Sequence, residues 1–259
     1  MNVNRSSQHQ AIVLRLRSFG ESHAMVDLLS REEGLVPAVA WGLKSRRSTL
    51  RGKVVPFAQG TVWLYRDPRQ ERAKITDIDV QRYATELQHD LTSYYHASLW
   101  AEVIWRTWAS ADAEGEVWAI FSRGLTLLDA ADVDPALRAA RARQLGLGLL
   151  WRYLALMGLQ PDLDRCAASE RRLRPDEPRF YQGGAGGLVA AEWASPVALA
   201  LPPRGVAFLR AAVEREPEIL TARMLDPETL GAVRAVVLAA VQDAAEQPLN
   251  TLAVAGGML

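Results

Sequence analysis

The sequence predicts an α+β chain of more than one domain, with a small five-stranded barrel at its N-terminal end and helices after it. Three observations predict this. Within about the first 80 residues, five short runs of apolar or alternating character are separated by turn residues, a number and spacing that suit a small closed barrel of the oligonucleotide-binding type. From Tyr83 the apolar residues recur at helical intervals instead. The stretch from Gly34 to Arg66 contains no Asp or Glu, yet Lys44, Arg46, Arg47, Arg51 and Lys53 fall inside it, between the third and fourth runs.

Taken in order, residues 1–10 read as a loose polar arm, after which AIVLRLRSF places Ile12, Leu14 and Leu16 on one face and Arg15 and Arg17 on the other. Gly20-Glu21-Ser22-His23 is a turn, Ala24–Ser30 a second strand, and Arg31-Glu32-Glu33-Gly34 the hairpin turn into Leu35–Trp41. Gly42 breaks that third strand. After the basic loop come Thr61–Tyr65, a turn at Asp67-Pro68, and the alternating Lys74–Val80. The boundary with the next domain falls near residue 82.

In the helical region Leu87, Leu91, Tyr94, Tyr95, Leu99 and Val103 set the period, and Trp100, Trp105, Trp108, Trp118 and Phe121 are expected in the core because of the area each must bury. Asp134 and Pro135 supply a cap and a first-turn proline for a helix over Ala136–Met157, which Gly158 ends and Pro161 keeps ended. Pro161–Pro203 is irregular, with a turn at Gly183–Gly187. It lacks the Gly-Lys-Ser/Thr of a phosphate-binding loop and has no dinucleotide fingerprint. Helices over Arg204–Glu214 and Pro227–Glu246, the second capped by Asp226, finish the chain.

The net charge is zero, but residues 1–82 carry 14 Lys+Arg against 8 Asp+Glu, and the remainder carries 16 against 22. The two halves therefore face different partners. Cys166 is the single cysteine, which excludes an intramolecular disulfide and suits a reducing, cytoplasmic compartment. The opening MNVNRSSQHQ has no signal-peptide apolar core, and no window approaches the roughly 20 apolar residues a membrane span needs. The four histidines, His9, His23, His89 and His96, form no HExxH and have no cysteine partner in sequence; no Gly-x-Ser-x-Gly elbow is present. Glu32-Glu33 is expected to solvate its turn. Nothing in these residues requires an enzyme, and no cofactor is expected.

Gly20-Glu21-Ser22, the run DLLSREEGLVPAVAWGLKS from Asp27 to Ser45, and Pro56-Phe57 resemble the N-terminal barrel of the bacterial RecO family, the recombination mediators of DNA repair. The likeness continues in order at Gly158-Leu159-Gln160-Pro161-Asp162-Leu163 with Cys166, at Gly186-Gly187, and at Gln247-Pro248-Leu249-Asn250-Thr251-Leu252. It implies an oligonucleotide-binding barrel over 1–82, a helical domain over 83–160 and 204–259, and a zinc-ribbon-like insertion over 161–203. It also implies a cytoplasmic, nucleoid-associated protein that binds single- and double-stranded DNA and anneals complementary strands. With RecR, such a protein assists loading of RecA onto DNA covered by single-strand-binding protein, whose acidic C-terminal tail is a further partner.

The insertion departs from the family pattern. Where Cys-x-x-Cys occurs twice in many members, this chain has Cys166-Ala167-Ala168-Ser169 and Val189-Ala190-Ala191-Glu192. Four N or S donors are not available there, so no zinc is expected. Packing is expected to replace the metal, with Phe180, Tyr181, Leu188 and Trp193 clustered under the glycine turn.

The mechanism expected is a backbone grip. Lys44, Arg46, Arg47, Arg51 and Lys53, helped by Arg15, Arg17, Arg66 and Lys74, track successive phosphates, and counterion release drives binding. Trp41, directly before the loop, is a candidate to stack a base, although its place at the end of an apolar strand favours burial. Arg138, Arg141, Arg143 and Arg152, on one helix of the acidic half, are candidate protein contacts. Two other classes fit the same barrel: a protein-interaction adaptor whose basic loop grips an acidic partner, and an RNA-binding accessory factor.

Overall fold

The computed structural model describes residues 5–69, 72–108 and 115–259. In chain order the elements are β1 (Ser6–Phe19), β2 (His23–Ser30), β3 (Gly34–Ala40), β4 (Gln59–Tyr65), β5 (Ala73–Arg82), α1 (Leu91–Thr107), α2 (Glu116–Leu128), α3 (Pro135–Leu156), β6 (Arg179–Gln182), β7 (Gly187–Val189), β8 (Leu199–Leu201), α4 (Pro203–Glu214), α5 (Pro227–Ala245) and α6 (Asn250–Ala255). They form two compact units. One holds β1–β5 and α2; the other holds α1, α3 to α6 and the β6–β8 sheet.

In the first unit the five strands close into a barrel in the order β1-β2-β3-β5-β4. Closure depends on β1, whose C-terminal half pairs with β2 (Ala11↔Ser30 to Phe19↔His23) while its N-terminal half pairs with β4 (Ser6↔Tyr65 to Ile12↔Gln59). A bulge between Val13 and Arg15 marks the bend that lets one strand serve both neighbours. A short parallel pairing of β3 with β5 at Ala38↔Ala73 and Val39↔Lys74 completes the ring. The expected polar arm is corrected here: Ser6–Gln10 is strand, because its backbone groups find the edge of β4 and His9 is buried against the Ser30 and Ser7 hydroxyls. Residues 1–4 of that arm lie outside the described residues.

The barrel interior is built from the alternate residues that the period-2 pattern turns inward, among them Val13, Val26, Leu28, Val36, Val62, Leu64, Ile75 and Ile78. Helix α2 packs beside it. The Ser122 hydroxyl donates to the Gln59 side chain at 2.7 Å, and Asp129 at the helix end accepts from the Leu87 amide and from Arg82.

In the second unit α3 is central, buried on most of its circumference from Gln144 to Leu154, and it packs on α1, α4 and α5. Asp134 caps it by accepting from the Ala136 amide at 2.9 Å, with Pro135 at the first position. Gly158 ends it at φ +68°, and the Leu159 amide turns back to the Leu154 carbonyl. The buried Gln144 is fully used: its amide donates to the Leu220 and Arg223 carbonyls and its oxygen accepts from the Leu225 amide at 2.7 Å. Glu102 of α1 accepts from the Asn250 and Thr251 amides, which fixes the Gln247–Leu252 segment with Leu249 buried.

Candidate nucleic-acid interface

The connection between β3 and β4 starts at Trp41, and Gly42 can make the turn out of β3 because it adopts φ +66°. Three apolar side chains then reach back into the barrel. Leu43, Leu50 and Val54 are buried in the same cluster as the strand residues. Between these anchors the backbone winds through consecutive turns, Ser45 N to Gly42 O, Ser48 N to Ser45 O, Arg51 N to Ser48 O and Lys53 N to Leu50 O. The periodicity that buries 43, 50 and 54 leaves Lys44, Arg46, Arg47 and Arg51 in solvent. Hydrophobic burial therefore fixes where the charges stand.

The other expected cations divide by partner. Arg15 and Arg17 share the buried Asp27 carboxylate at 3.0 and 3.4 Å. Lys53 pairs with Asp77 at 3.1 Å, and Arg66 makes a two-pronged pair with Glu33, its Nη1 donating to Oε1 at 3.0 Å. The Arg66 hydrogen bond holds the Glu33 carboxyl below the usual carboxylate range, and the Ile78 amide and Lys53 do the same for Asp77. Glu32 and Glu33 thus do more than solvate a turn: Glu32 also accepts from the Gln10 amide and so helps hold β1. Among the described residues no carboxylate pairs with Lys44, Arg46, Arg47, Arg51 or Lys74; Lys74 stands exposed on β5, and Lys44 donates to the Ser18 hydroxyl at 3.0 Å.

Trp41 is not buried, contrary to the expectation from its strand. It is 44% exposed, because the pleat that turns Val36, Ala38 and Ala40 into the barrel leaves residue 41 on the outer face. Its ring meets His23 at 4.5 Å and Phe19 at 6.2 Å between centroids. Phe19, itself 40% exposed, carried no sequence signal beyond its place at the end of an alternating strand.

In the second unit Arg138, Arg141, Arg143 and Arg152 are half-buried along α3. Arg138 donates to the Ala131 carbonyl, Arg143 to the Met258 carbonyl and Arg152 to the Arg215 carbonyl. Within 161–203, β6–β8 form a three-stranded sheet in the order β7-β6-β8. The expected four-residue cluster there is corrected. Trp193 is 53% exposed, whereas Phe180 packs on a small core of Cys166, Leu173, Val189 and Ala190, and Tyr181 faces the other way, its hydroxyl donating to Asp243 at 2.7 Å. Phe180 and Tyr181 are neighbours on β6, so the pleat sends them to opposite faces. The Ala190 amide lies 3.4 Å from the Cys166 sulfur, and Arg171 bridges Glu177 and Glu192. Among the described residues no group of three or more His, Cys, Asp or Glu side chains is placed to hold a metal ion, and no helix is long and apolar enough to cross a membrane.

A closed five-stranded barrel with this strand order has the topology of the oligonucleotide-binding barrel class, and among the described residues Lys44, Arg46, Arg47 and Arg51 on the connection between its third and fourth strands face no carboxylate. The comparisons narrow the class. The family model for the N-terminal part of recombination protein O matches residues 1–83, and the model for its C-terminal part matches residues 88–253. The chain belongs to the recombination protein O (RecO) family. It is similar to the DNA repair protein RecO of Moorella thermoacetica, 26% identical over 185 residues, which is 71% of this chain and 65%, just under two thirds, of that relative.

Proposed function

We propose that this chain acts in DNA repair by holding DNA through its sugar-phosphate backbone along the loop between β3 and β4. The observation that carries the proposal is the set of five cations, Lys44, Arg46, Arg47, Arg51 and Lys74, that face no carboxylate among the described residues. A cation already paired releases few counterions on meeting a phosphate, whereas an unpaired one contributes fully. Contacts confined to phosphates leave base edges free, as annealing of two strands requires, and no general acid, base or metal enters such a step. Family membership and the likeness to a DNA repair protein support the same role.

On this proposal the helical unit meets proteins. RecR, the acidic tail of single-strand-binding protein and, through them, RecA are the partners the family suggests, with the half-buried arginines of α3 as candidate contacts. The insertion is a ribbon held by packing: Cys166 and Val189, the first positions of the two Cys-x-x-Cys pairs of which this chain keeps a single cysteine, sit in one apolar core, and Arg171 ties Glu192 to Glu177.

Fluorescence-anisotropy binding of a labelled single-stranded oligonucleotide over a salt series tests the proposal. Five phosphates at about 0.7 each give a slope of about −3.5 in log K against log salt. A flat salt response, or no binding, refutes it.

A further inference from the structure

We propose that Phe19 and Trp41 form a platform on which an unpaired nucleobase stacks, at the point where the strand enters the basic loop; this rests on the nucleic-acid role argued above. Both rings are large and apolar, and at 40% and 44% exposure each leaves much of its surface in water. Two such rings 6.2 Å apart make one apolar patch rather than two scattered residues. The rings are inclined at 77°, and His23 lies at 63° to Trp41, so neither neighbour occupies a stacked position on the indole.

The platform is held, not loose. The Gly42 amide donates to His23 Nδ1 at 2.9 Å, which fixes the imidazole under Trp41 and, in the neutral ring, leaves the proton on Nε2. The Lys44 amide donates to the Ser22 carbonyl at 3.0 Å, and its ammonium reaches Ser18, the residue before Phe19. Lys44, which faces no carboxylate among the described residues, is thereby tied to the β1–β2 turn that follows Phe19. Charge complementarity selects the occupant: a flat apolar group whose attached chain is anionic satisfies both the rings and Lys44, and a base on a phosphate backbone is that ligand. In a duplex the base faces are covered by their neighbours, so the platform gives preference for single strands.

The test compares labelled oligothymidylate with an abasic oligonucleotide of the same length and phosphate count, on the native chain, on Phe19→Ala/Trp41→Ala, and on the Lys44, Arg46, Arg47, Arg51→Ala variant. The native chain should bind the abasic strand about 5- to 150-fold more weakly, as loss of one stacked base predicts. The aromatic double variant should bind both strands alike, with an unchanged salt slope, and Trp41→Phe should restore part of the preference. Equal thermal unfolding of the variants establishes that the fold is intact, as exposed positions lead us to expect. If the loop variant loses binding while the aromatic double variant keeps the native preference for oligothymidylate, the platform is overturned and the phosphate grip stands. A native chain indifferent to the bases also overturns it, and a native chain that binds neither strand overturns both.

Discussion

Alanine at Lys44, Arg46, Arg47 and Arg51 removes four cations that face no carboxylate among the described residues, whereas alanine at Lys53 and Arg66 removes two that are already paired with Asp77 and Glu33. The two variants separate charge from usable charge. At about 0.7 per phosphate, the fourfold variant should lose about 2.8 from a native slope of about −3.5, leaving about −0.7. Between 50 and 200 mM salt, the native chain then loses about 100-fold in affinity and the variant about 3-fold. The Lys53/Arg66 variant should keep nearly the native slope, because each removed charge was balanced on the surface it leaves. Anisotropy titrations of all three proteins at four or five salt concentrations read this directly. Equal slope losses in the two variants would show that ion pairing on the barrel does not decide which cations meet phosphate.

Two further outcomes concern stability, one in the helical unit and one in the barrel that carries the site. His96 is buried with neither ring nitrogen hydrogen-bonded among the described residues, and burial, followed by the charges of Arg143 and Arg234, lowers its pKa from an ordinary 6.5 to about 3. The folded state therefore holds the neutral ring: its contribution is whole above pH 6.5 and declines as pH falls towards 3, by about 2 kcal/mol at pH 5. Urea unfolding at pH 7, 6 and 5 should show that loss in the native chain and a flatter profile in His96→Leu; parallel profiles would remove His96 as the cause. Leu50→Ala deletes the middle anchor of the basic loop and should cost about 2–5 kcal/mol in urea unfolding. A cost near zero would mean that the loop is not seated in the barrel.

Local signals read directly from the sequence as structure. Asp134-Pro135 and Asp226-Pro227 start α3 and α5 within a residue of expectation, since a cap and a first-turn proline act over one turn of chain. Each of the five strands covers one of the short apolar or alternating runs, with β1 beginning five residues before its run. What the sequence withheld was decided between elements. Ser6–Gln10 looks like a polar tail until β4 offers it a hydrogen-bonding edge, and nothing within ten residues announces that edge. Trp41 reads as the apolar end of its strand, but the pleat that turns Val36, Ala38 and Ala40 inward leaves it on the outer face. The cations were all visible, yet their worth depended on Glu33 and Asp77, more than 20 residues away from Arg66 and Lys53. The Arg15–Asp27 pair was closer to legible, because the Gly20–Ser22 turn sets the register that puts the two opposite each other.

The three anchors of the basic loop have a consequence for how this surface can change over time. Leu43, Leu50 and Val54 hold fixed places in the barrel, so their spacing is tied to the stability of the whole unit, while Arg46, Arg47 and Arg51 between them stand exposed. Substitutions at Arg46, Arg47 or Arg51 can accumulate or reverse with little penalty to folding, whereas insertion or deletion of one residue would misplace an anchor. The surface is thus free to drift in charge and held nearly constant in length. Relatives with very different grips on their ligand can descend from one another without passing through an unfolded intermediate.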